Sequence, residues 1–78
     1  MQWYVDVILP LPLADSYTYR LPDSYTATVQ EGSRVVVQFG TKRYYTGIVM
    51  RKHTDEPQGD YDIKEVTEIL DAAPIVQQ

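Results

Sequence analysis

The hydrophobic and polar positions of this chain alternate mainly with a period of two, which is the period of β-strands. Trp3–Leu9 carries apolar residues on both of its faces and predicts a first strand. Tyr17–Leu21 alternates between apolar and polar positions and predicts a second. Ser33–Gln38 is β-branched and Tyr44–Arg51 is aromatic and β-branched, so these two segments predict a hairpin.

The residues between these segments are typical of turns and strand ends. Pro10 and Pro12 end the first strand because proline cannot donate a hydrogen bond to a ladder. Asp15-Ser16 and Pro22-Asp23-Ser24 predict turns, and Glu31-Gly32 predicts a tight turn into the central strand.

Two segments remain ambiguous by pattern. Tyr25–Gln30 contains two threonines, which argue against a stable helix without establishing a strand. Ile63–Leu70 has apolar residues at a spacing of three but a β-branched composition, and a strand that closes the sheet is the favoured interpretation. His53–Asp60 contains proline and glycine and predicts an exposed loop. Residues 71–78 are interpreted as an exit segment.

Five or six short strands, separated by turns about every 8–12 residues, predict an all-β fold with little helix. A small antiparallel β-barrel is favoured, because closure removes the exposed edges that strands rich in tyrosine and valine would otherwise present. The 78 residues are expected to form a single domain, spanning 1–78, with a modest core.

Composition excludes several classes of protein. The chain has no cysteine, which excludes disulfides, thiolate metal sites and a cysteine nucleophile. The first residues do not have the pattern of a signal peptide, and no apolar run approaches the roughly 20 residues of a membrane helix. A cytoplasmic location without membrane contact is therefore expected.

Charge favours a local site over a broad DNA-coating surface. A net charge of −4 argues against neutralisation of many duplex phosphates. Cations nevertheless cluster between Arg34 and His53, where a basic patch and a solvated hairpin end are both compatible with the pattern. Within Phe39–Arg43, an aromatic ring can stack on a base, a glycine permits close approach, and two cations suit phosphates.

Catalytic motifs are absent from the sequence. There is no Walker-type loop and no Gly-x-Gly-x-x-Gly, and the serines have no nearby histidine that could activate them. His53, the single histidine, lies in a polar stretch and is interpreted as a solvent-exposed bystander with no metal. Asp60, Asp62 and Glu65 could form an acid pair, although such clusters are more often solvated. The chain is not expected to be an enzyme.

Several segments occur in an order that is recognisable. They are Val5–Leu13 with Tyr17–Pro22, then Gly32–Gly40 with its Gly-x-Arg-Val-x-Val-x-Phe-Gly pattern, then Gly47–Val49, and finally Ile63–Asp71. In this order they resemble the N-terminal 3′-DNA-binding domain of the PriA-type primosomal replication-restart helicases. The resemblance spans nearly the whole chain.

The resemblance implies a non-catalytic domain that captures the 3′ end of the nascent leading strand at an arrested replication fork. The pocket residues that it implies are Tyr17, Thr18, Gly40 and Lys64, with Lys42 and Arg43 as auxiliary DNA contacts. Taken alone, Tyr17 could be a stacking platform or a core residue, and strand tyrosines are more often half-buried packing residues. Thr18 departs from the pattern, since well-known members have aspartate there, and threonine offers a neutral and therefore weaker acceptor to a 3′-hydroxyl.

The resemblance also implies a larger bacterial protein, an ATP-dependent 3′–5′ DNA helicase whose ATP and zinc belong to other domains and whose partners include other primosome proteins. This chain itself is expected to need no cofactor. A second interpretation is a small β-barrel protein–protein interaction module, with Tyr44, Tyr45 and the prolines on the partner surface.

Overall fold

The computed structural model of the chain describes residues 1–12, 15–57 and 63–70. Within them the chain forms five strands and one short 3₁₀ helix. The strands are β1 (Trp3–Ile8), β2 (Tyr17–Leu21), β3 (Arg34–Phe39), β4 (Arg43–His53) and β5 (Glu68–Ile69), and the 3₁₀ helix is Asp23–Tyr25.

The strands form one antiparallel sheet in the order β2-β1-β4-β3-β5. The long strand β4 is central and pairs with β1 on one side and β3 on the other. The β1–β4 register shifts between Asp6, which faces Arg51, and Val7, which faces Val49. The shift leaves Met50 as an extra residue in β4, and such a bulge increases the local twist of a sheet.

The core is made mainly of aliphatic side chains on one face of the curved sheet. The buried residues are Val5, Val7, Leu9, Tyr19, Leu21, Val29, Val35, Val37, Val49 and Val66. Their period of two within each strand places the polar neighbours on the opposite face. Burial of this apolar face is the main source of stability in so small a domain.

Gly47 permits β1 and β4 to approach closely. A Cβ at this position would overlap with the Cγ1 atom of Val7 and would lie 2.8 Å from the carbonyl oxygen of Ile8 and 3.0 Å from Cδ2 of Leu9. Two of these three neighbours belong to β1 itself. The glycine is therefore required by packing, and its backbone dihedral φ is not in the left-handed region.

The segment 63–70 contacts both edges of the sheet. The N–H of Arg20 in β2 donates to the carbonyl oxygen of Lys64 at 2.8 Å, and the N–H of Val66 donates back to Arg20 at 3.0 Å. From the next residue the segment pairs with β3: the N–H of Thr67 donates to Val36 at 2.8 Å, and the N–H of Leu70 donates to Arg34 at 2.9 Å. Because the segment changes partners midway, the long strand predicted over Ile63–Leu70 is reduced to the two residues of β5.

The prediction of an all-β fold with little helix is confirmed, but the sheet is not closed into a barrel. β2 has the predicted bounds, whereas the ends of β1, β3 and β4 differ by one or two residues. The ambiguous segment Tyr25–Gln30 forms the end of the 3₁₀ helix and a turn. The predicted exit segment 71–78, and the part of the predicted loop and acidic cluster that falls on 58–62, lie outside the described residues. No helix in the described ranges is long and apolar enough to cross a membrane.

Candidate functional site

A pocket of about 460 Å³ lies where the outer edge of β2 faces the end of β3. Three separate segments of the chain contribute to it. The lining residues are Ser16, Tyr17, Thr18, Tyr19, Gln38, Phe39, Gly40 and Lys64, and we call this site the Tyr17 pocket. Its volume is within the range of about 300–1,000 Å³ that is usual for small-molecule sites.

The structure brings four of the sequence-predicted residues together in this pocket, namely Tyr17, Thr18, Gly40 and Lys64. Lys42 and Arg43 do not line it. Both are exposed, in the turn that follows Gly40 and at the first position of β4.

Two aromatic rings form one wall. Tyr17 and Phe39 meet edge to face with ring centroids 4.9 Å apart, and Tyr45 contacts the other side of Phe39 at 6.4 Å. Phe39 is half-buried against the core. Tyr17 also packs on the core while it lines the pocket, so a packing role does not remove it from the site.

Tyr19 links the two strands that border the pocket. Its ring is buried, and its hydroxyl donates a hydrogen bond of 3.0 Å to the carbonyl oxygen of Gln38. Burial, with a smaller electrostatic contribution from Tyr17, raises the pKa of Tyr19 above its ordinary value. The hydroxyl therefore stays protonated and holds β2 to β3 at the base of the pocket.

Gly40 begins the turn between β3 and β4 with a φ of +83°, a conformation that favours glycine. A Cβ built on it would meet no atom within 4 Å, so backbone conformation and not crowding requires the glycine. Gln38 stabilises the same turn, since its amide donates to the carbonyl oxygen of Thr41 at 2.7 Å. The result is an uncovered stretch of backbone at the rim.

Lys64 is fixed through its backbone, and its side chain is exposed. Its carbonyl oxygen accepts the N–H of Arg20, which holds the residue beside β2. The side chain is exposed and forms no ion pair with any residue in the part of the chain that the structure describes.

Thr18 lies opposite Asp6 in the β1–β2 ladder, and its hydroxyl donates a hydrogen bond of 2.7 Å to Oδ1 of Asp6. Arg20, two residues along, directs its backbone N–H and C=O away from β1. The alternation of an antiparallel ladder then directs the backbone of Thr18 toward the same outer edge of β2, and Thr18 borders the pocket. The hydroxyl oxygen retains its lone pairs as acceptors.

The Asp6 carboxylate is the centre of a polar cluster on the face of the sheet opposite the core. Nε2 of His53 donates to Oδ1 at 3.0 Å, and Nε of Arg51 lies 3.3 Å from Oδ2. Burial alone would raise the pKa of Asp6. Hydrogen bonds from His53 and Thr18 and the electrostatic effect of His53 and Arg51 outweigh it, so the pKa is lowered from its ordinary value of 3.8.

The expectation that His53 is a solvent-exposed bystander is wrong. It ends β4 with only 12% of its side chain exposed, stacks on Tyr4, and accepts the backbone N–H of Asp55 at Nδ1. Its polar neighbours in sequence suggested a loop, but the strand continues to His53 because it pairs with Tyr4 of β1. Across the described residues, no group of three or more acidic or histidine side chains could hold a metal ion.

Sequence reasoning missed Ser16, Tyr19 and Gln38 as lining residues, and Asp6 as the partner of Thr18. A signal for Tyr19 existed, because the period of two places it on the same face as Tyr17. The signal for Asp6 was its position as the one acidic residue in an otherwise apolar strand.

Comparison with known proteins gave one clear relationship. The family model of the PriA 3′ DNA-binding domain (3′BD) matches residues 6–78, which is nearly the whole chain. No curated protein and no solved structure matches the chain. The family supports a DNA-binding role for the chain. On the extent of this match, the chain belongs to the family of PriA 3′ DNA-binding domains.

Proposed function

We propose that this chain captures the 3′ end of a nascent leading strand at an arrested replication fork, and that the Tyr17 pocket receives the terminal nucleotide. One observation carries the proposal most directly. Residues far apart in sequence, which the family resemblance selects for end binding, line a single pocket of suitable size. A terminal nucleotide enters such a pocket at modest cost because its base has a single stacked neighbour.

Each residue supplies a different interaction in this proposal. Tyr17 offers a ring face to the terminal base, and Phe39 fixes the orientation of that ring by edge-to-face contact. Gly40 leaves its backbone open to the ligand. Lys64 presents an exposed ammonium group to the last phosphate.

Thr18 provides the contact to the terminal 3′-hydroxyl. Its own proton is donated to Asp6, so its oxygen acts toward the ligand as an acceptor. A terminal 3′-hydroxyl can donate to it, whereas a 3′-phosphate brings bulk and negative charge. Threonine thereby takes the place that aspartate has in well-known members of the family.

The charge distribution is compatible with binding of an end and not of a long strand. The protein is acidic overall, yet Lys64, Lys42 and Arg43 are exposed at or near the pocket end of the sheet. These cations can neutralise a few phosphates next to the terminal nucleotide. Lys42 and Arg43, which follow Gly40 along the chain, are assigned to the strand as it leaves the pocket.

The wider role follows from the end-binding function. The chain would act as a non-catalytic part of a replication-restart helicase in the bacterial cytoplasm, with ATP and zinc held by other domains and other primosome proteins contacted through the whole protein. Its own task would be to mark the fork that carries a usable primer end.

The experiment compares DNA with and without an end. A linear single strand and a covalently closed circle of the same sequence compete for the purified chain, and two forks that differ only in a leading-strand 3′ end at the junction are compared in the same way. Linear strand and primed fork should bind at least tenfold more tightly. Equal binding to the circle and to the linear strand would contradict end capture.

The alternative of a protein-interaction module draws on a different surface. Ile8 and Ile48 face each other across β1 and β4, and both are exposed, as are Met50 and Tyr44. Apolar exposure of this kind is typical of a contact surface. Tyr45, which was expected on the same surface, is instead half-buried against Phe39. Ile48→Ser should leave DNA-end binding unchanged if the two surfaces act independently.

A further inference from the structure

We infer that Asp6 is a positioning residue that fixes the hydroxyl of Thr18 as a hydrogen-bond acceptor, and that the pocket thereby selects a 3′ terminus able to donate a hydrogen bond. The inference rests on the proposed function and extends it to a residue on another strand. Asp6 does not line the Tyr17 pocket, and it acts only through Thr18.

The first step concerns the direction of the hydrogen bond between the two residues. An ionised carboxylate has acceptors but no proton, so in the Thr18–Asp6 pair the threonine must be the donor. The separation of 2.7 Å is that of a short, charge-assisted bond between a hydroxyl and a carboxylate. Thr18 has a single hydroxyl proton, and this bond uses it.

The second step concerns what keeps Asp6 ionised and in place. Arg51 and His53 approach the carboxylate from β4, and Thr18 approaches it from β2, so it is held from both neighbouring strands. His53 is itself held by stacking on Tyr4 and by the backbone N–H of Asp55. The lowered pKa of Asp6 agrees with this geometry.

The third step concerns the ligand. Thr18 is a lining residue of the pocket, and its hydroxyl oxygen keeps lone pairs while its proton is committed to Asp6; we assign these lone pairs to the terminal group of the ligand. A hydroxyl that donates to a carboxylate is also polarised into a better acceptor. A terminal 3′-hydroxyl or 3′-amine can donate to it, while a 3′-fluoro or 3′-O-methyl end cannot. Asp6 thus determines which 3′ termini the pocket selects, although Asp6 lies on β1 and does not line the pocket.

The test measures binding of four strands that differ at the 3′ terminus only: hydroxyl, amine, fluorine and O-methyl. The wild-type chain should prefer the hydroxyl end to the fluoro end by about fivefold, the usual net value of one hydrogen bond. Asp6→Asn lets the Thr18 proton turn outward, because an amide can donate to threonine. The preference should then fall to less than twofold.

A matched control removes the same charge elsewhere. Glu31→Gln lies in the exposed turn before β3, at the opposite end of that strand from Gly40, and should keep the wild-type preference. Thr18→Val should lose the preference, and adding Asp6→Asn to it should cause no further change, since positioning needs the hydroxyl.

The outcomes separate the two claims. If the wild-type chain binds linear strands with a 3′ end no more tightly than closed circles, the proposed function is overturned. End preference with an unchanged hydroxyl-to-fluoro ratio in Asp6→Asn would overturn the role of Asp6 alone. If Asp6→Asn fails to fold, the wild-type series still decides, because equal binding of hydroxyl and fluoro ends shows that Thr18 is not a fixed acceptor.

Discussion

The ring of Tyr17 meets the ring of Phe39 edge to face, with centroids 4.9 Å apart, at the wall of a pocket that opens beside β2. Phe39 contacts Tyr45 on its other side. Three aromatic residues are therefore in series, but of the two tyrosines only Tyr17 borders the pocket. This arrangement provides a matched pair of substitutions.

Tyr17→Ala should weaken binding of a 3′ end by roughly five- to 150-fold, because stacking of a base on an aromatic side chain contributes about 1–3 kcal/mol. Tyr45→Ala removes a ring of the same kind from the same cluster and should leave affinity within about twofold. Fluorescence anisotropy gives the affinities, and circular dichroism checks the fold. Equal loss in both variants would show that Tyr17 contributes to packing alone.

The two glycines with positive φ allow backbone strain to be separated from ligand binding. Gly32 has a φ of +92° and Gly40 a φ of +83°, and a Cβ at either would meet no atom within 4 Å. Alanine at either position should lower the free energy of unfolding by about 1 kcal/mol through left-handed strain. Gly40→Ala should in addition weaken 3′-end binding. Similar DNA affinities for both variants would show that the DNA does not approach the backbone of Gly40 closely.

Gly47→Ala should destabilise the fold more than either of those changes. The added methyl group would overlap with Val7 and approach the carbonyl of Ile8, so β1 and β4 must separate. Overpacking of this kind costs about 1–3 kcal/mol, or roughly 4–8 °C in Tm per kcal/mol for a domain of this size. Differential scanning calorimetry measures the shift, and an unchanged Tm would contradict the tight β1–β4 packing.

The salt dependence of binding counts the phosphates that are contacted. Each contact to a single strand contributes about −0.7 to the slope of log K against log salt. With Lys64, Lys42 and Arg43 engaged, the slope should be about −2. Changing both Lys42 and Arg43 to glutamine should reduce its magnitude by about 1.4 and leave the preference for 3′ ends intact. An unchanged slope would show that Lys42 and Arg43 do not contact the DNA phosphates.

Asp6 predicts a pH dependence of stability whose sign follows from its lowered pKa. The folded state binds this proton less tightly than the unfolded state, so the stabilisation is fully present above the ordinary value of 3.8 and is lost as the pH falls through the folded pKa. Asp6→Asn should flatten the acid limb of the stability curve relative to Glu31→Gln.

The groups facing Asp6 are Thr18, Arg51 and His53, so a His53→Gln variant is measured alongside to separate the contribution of that ring. Urea unfolding from pH 7 to about 3 supplies the curves. Parallel acid limbs for Asp6→Asn and Glu31→Gln would contradict the assigned pKa shift.

The period of two was enough to predict β2 and the β3–β4 hairpin. In a half-buried sheet, successive side chains point to opposite faces, so apolar and polar residues alternate along the sequence. The segment Ile63–Leu70 was less predictable. Its hydrogen bonds divide between Arg20 and β3, and that choice of partners depends on the distance between two sheet edges, which no local pattern encodes.

The candidate site also has residues that could be selected from the sequence and residues that could not. Tyr17, Thr18, Gly40 and Lys64 could be selected by their order along the chain, and the fold brings them to one pocket. The roles of Asp6 and His53 could not be read in this way, because Asp6 meets Thr18 across β1 and β2 and meets His53 across the β1–β4 ladder, which shifts register. A bulge of one residue decides which side chains meet, and neither Met50 nor the residues next to it are glycine or proline that would mark the bulge.

The most direct test of 3′-end capture is the affinity of the chain for one short single strand, labelled at its 5′ end, with the 3′ terminus either a free hydroxyl or a phosphate. The two strands share length, sequence and every internal contact. We predict that the hydroxyl strand binds at least tenfold more tightly by fluorescence anisotropy, and that Thr18→Val narrows the difference. Equal affinity for both strands would contradict the account.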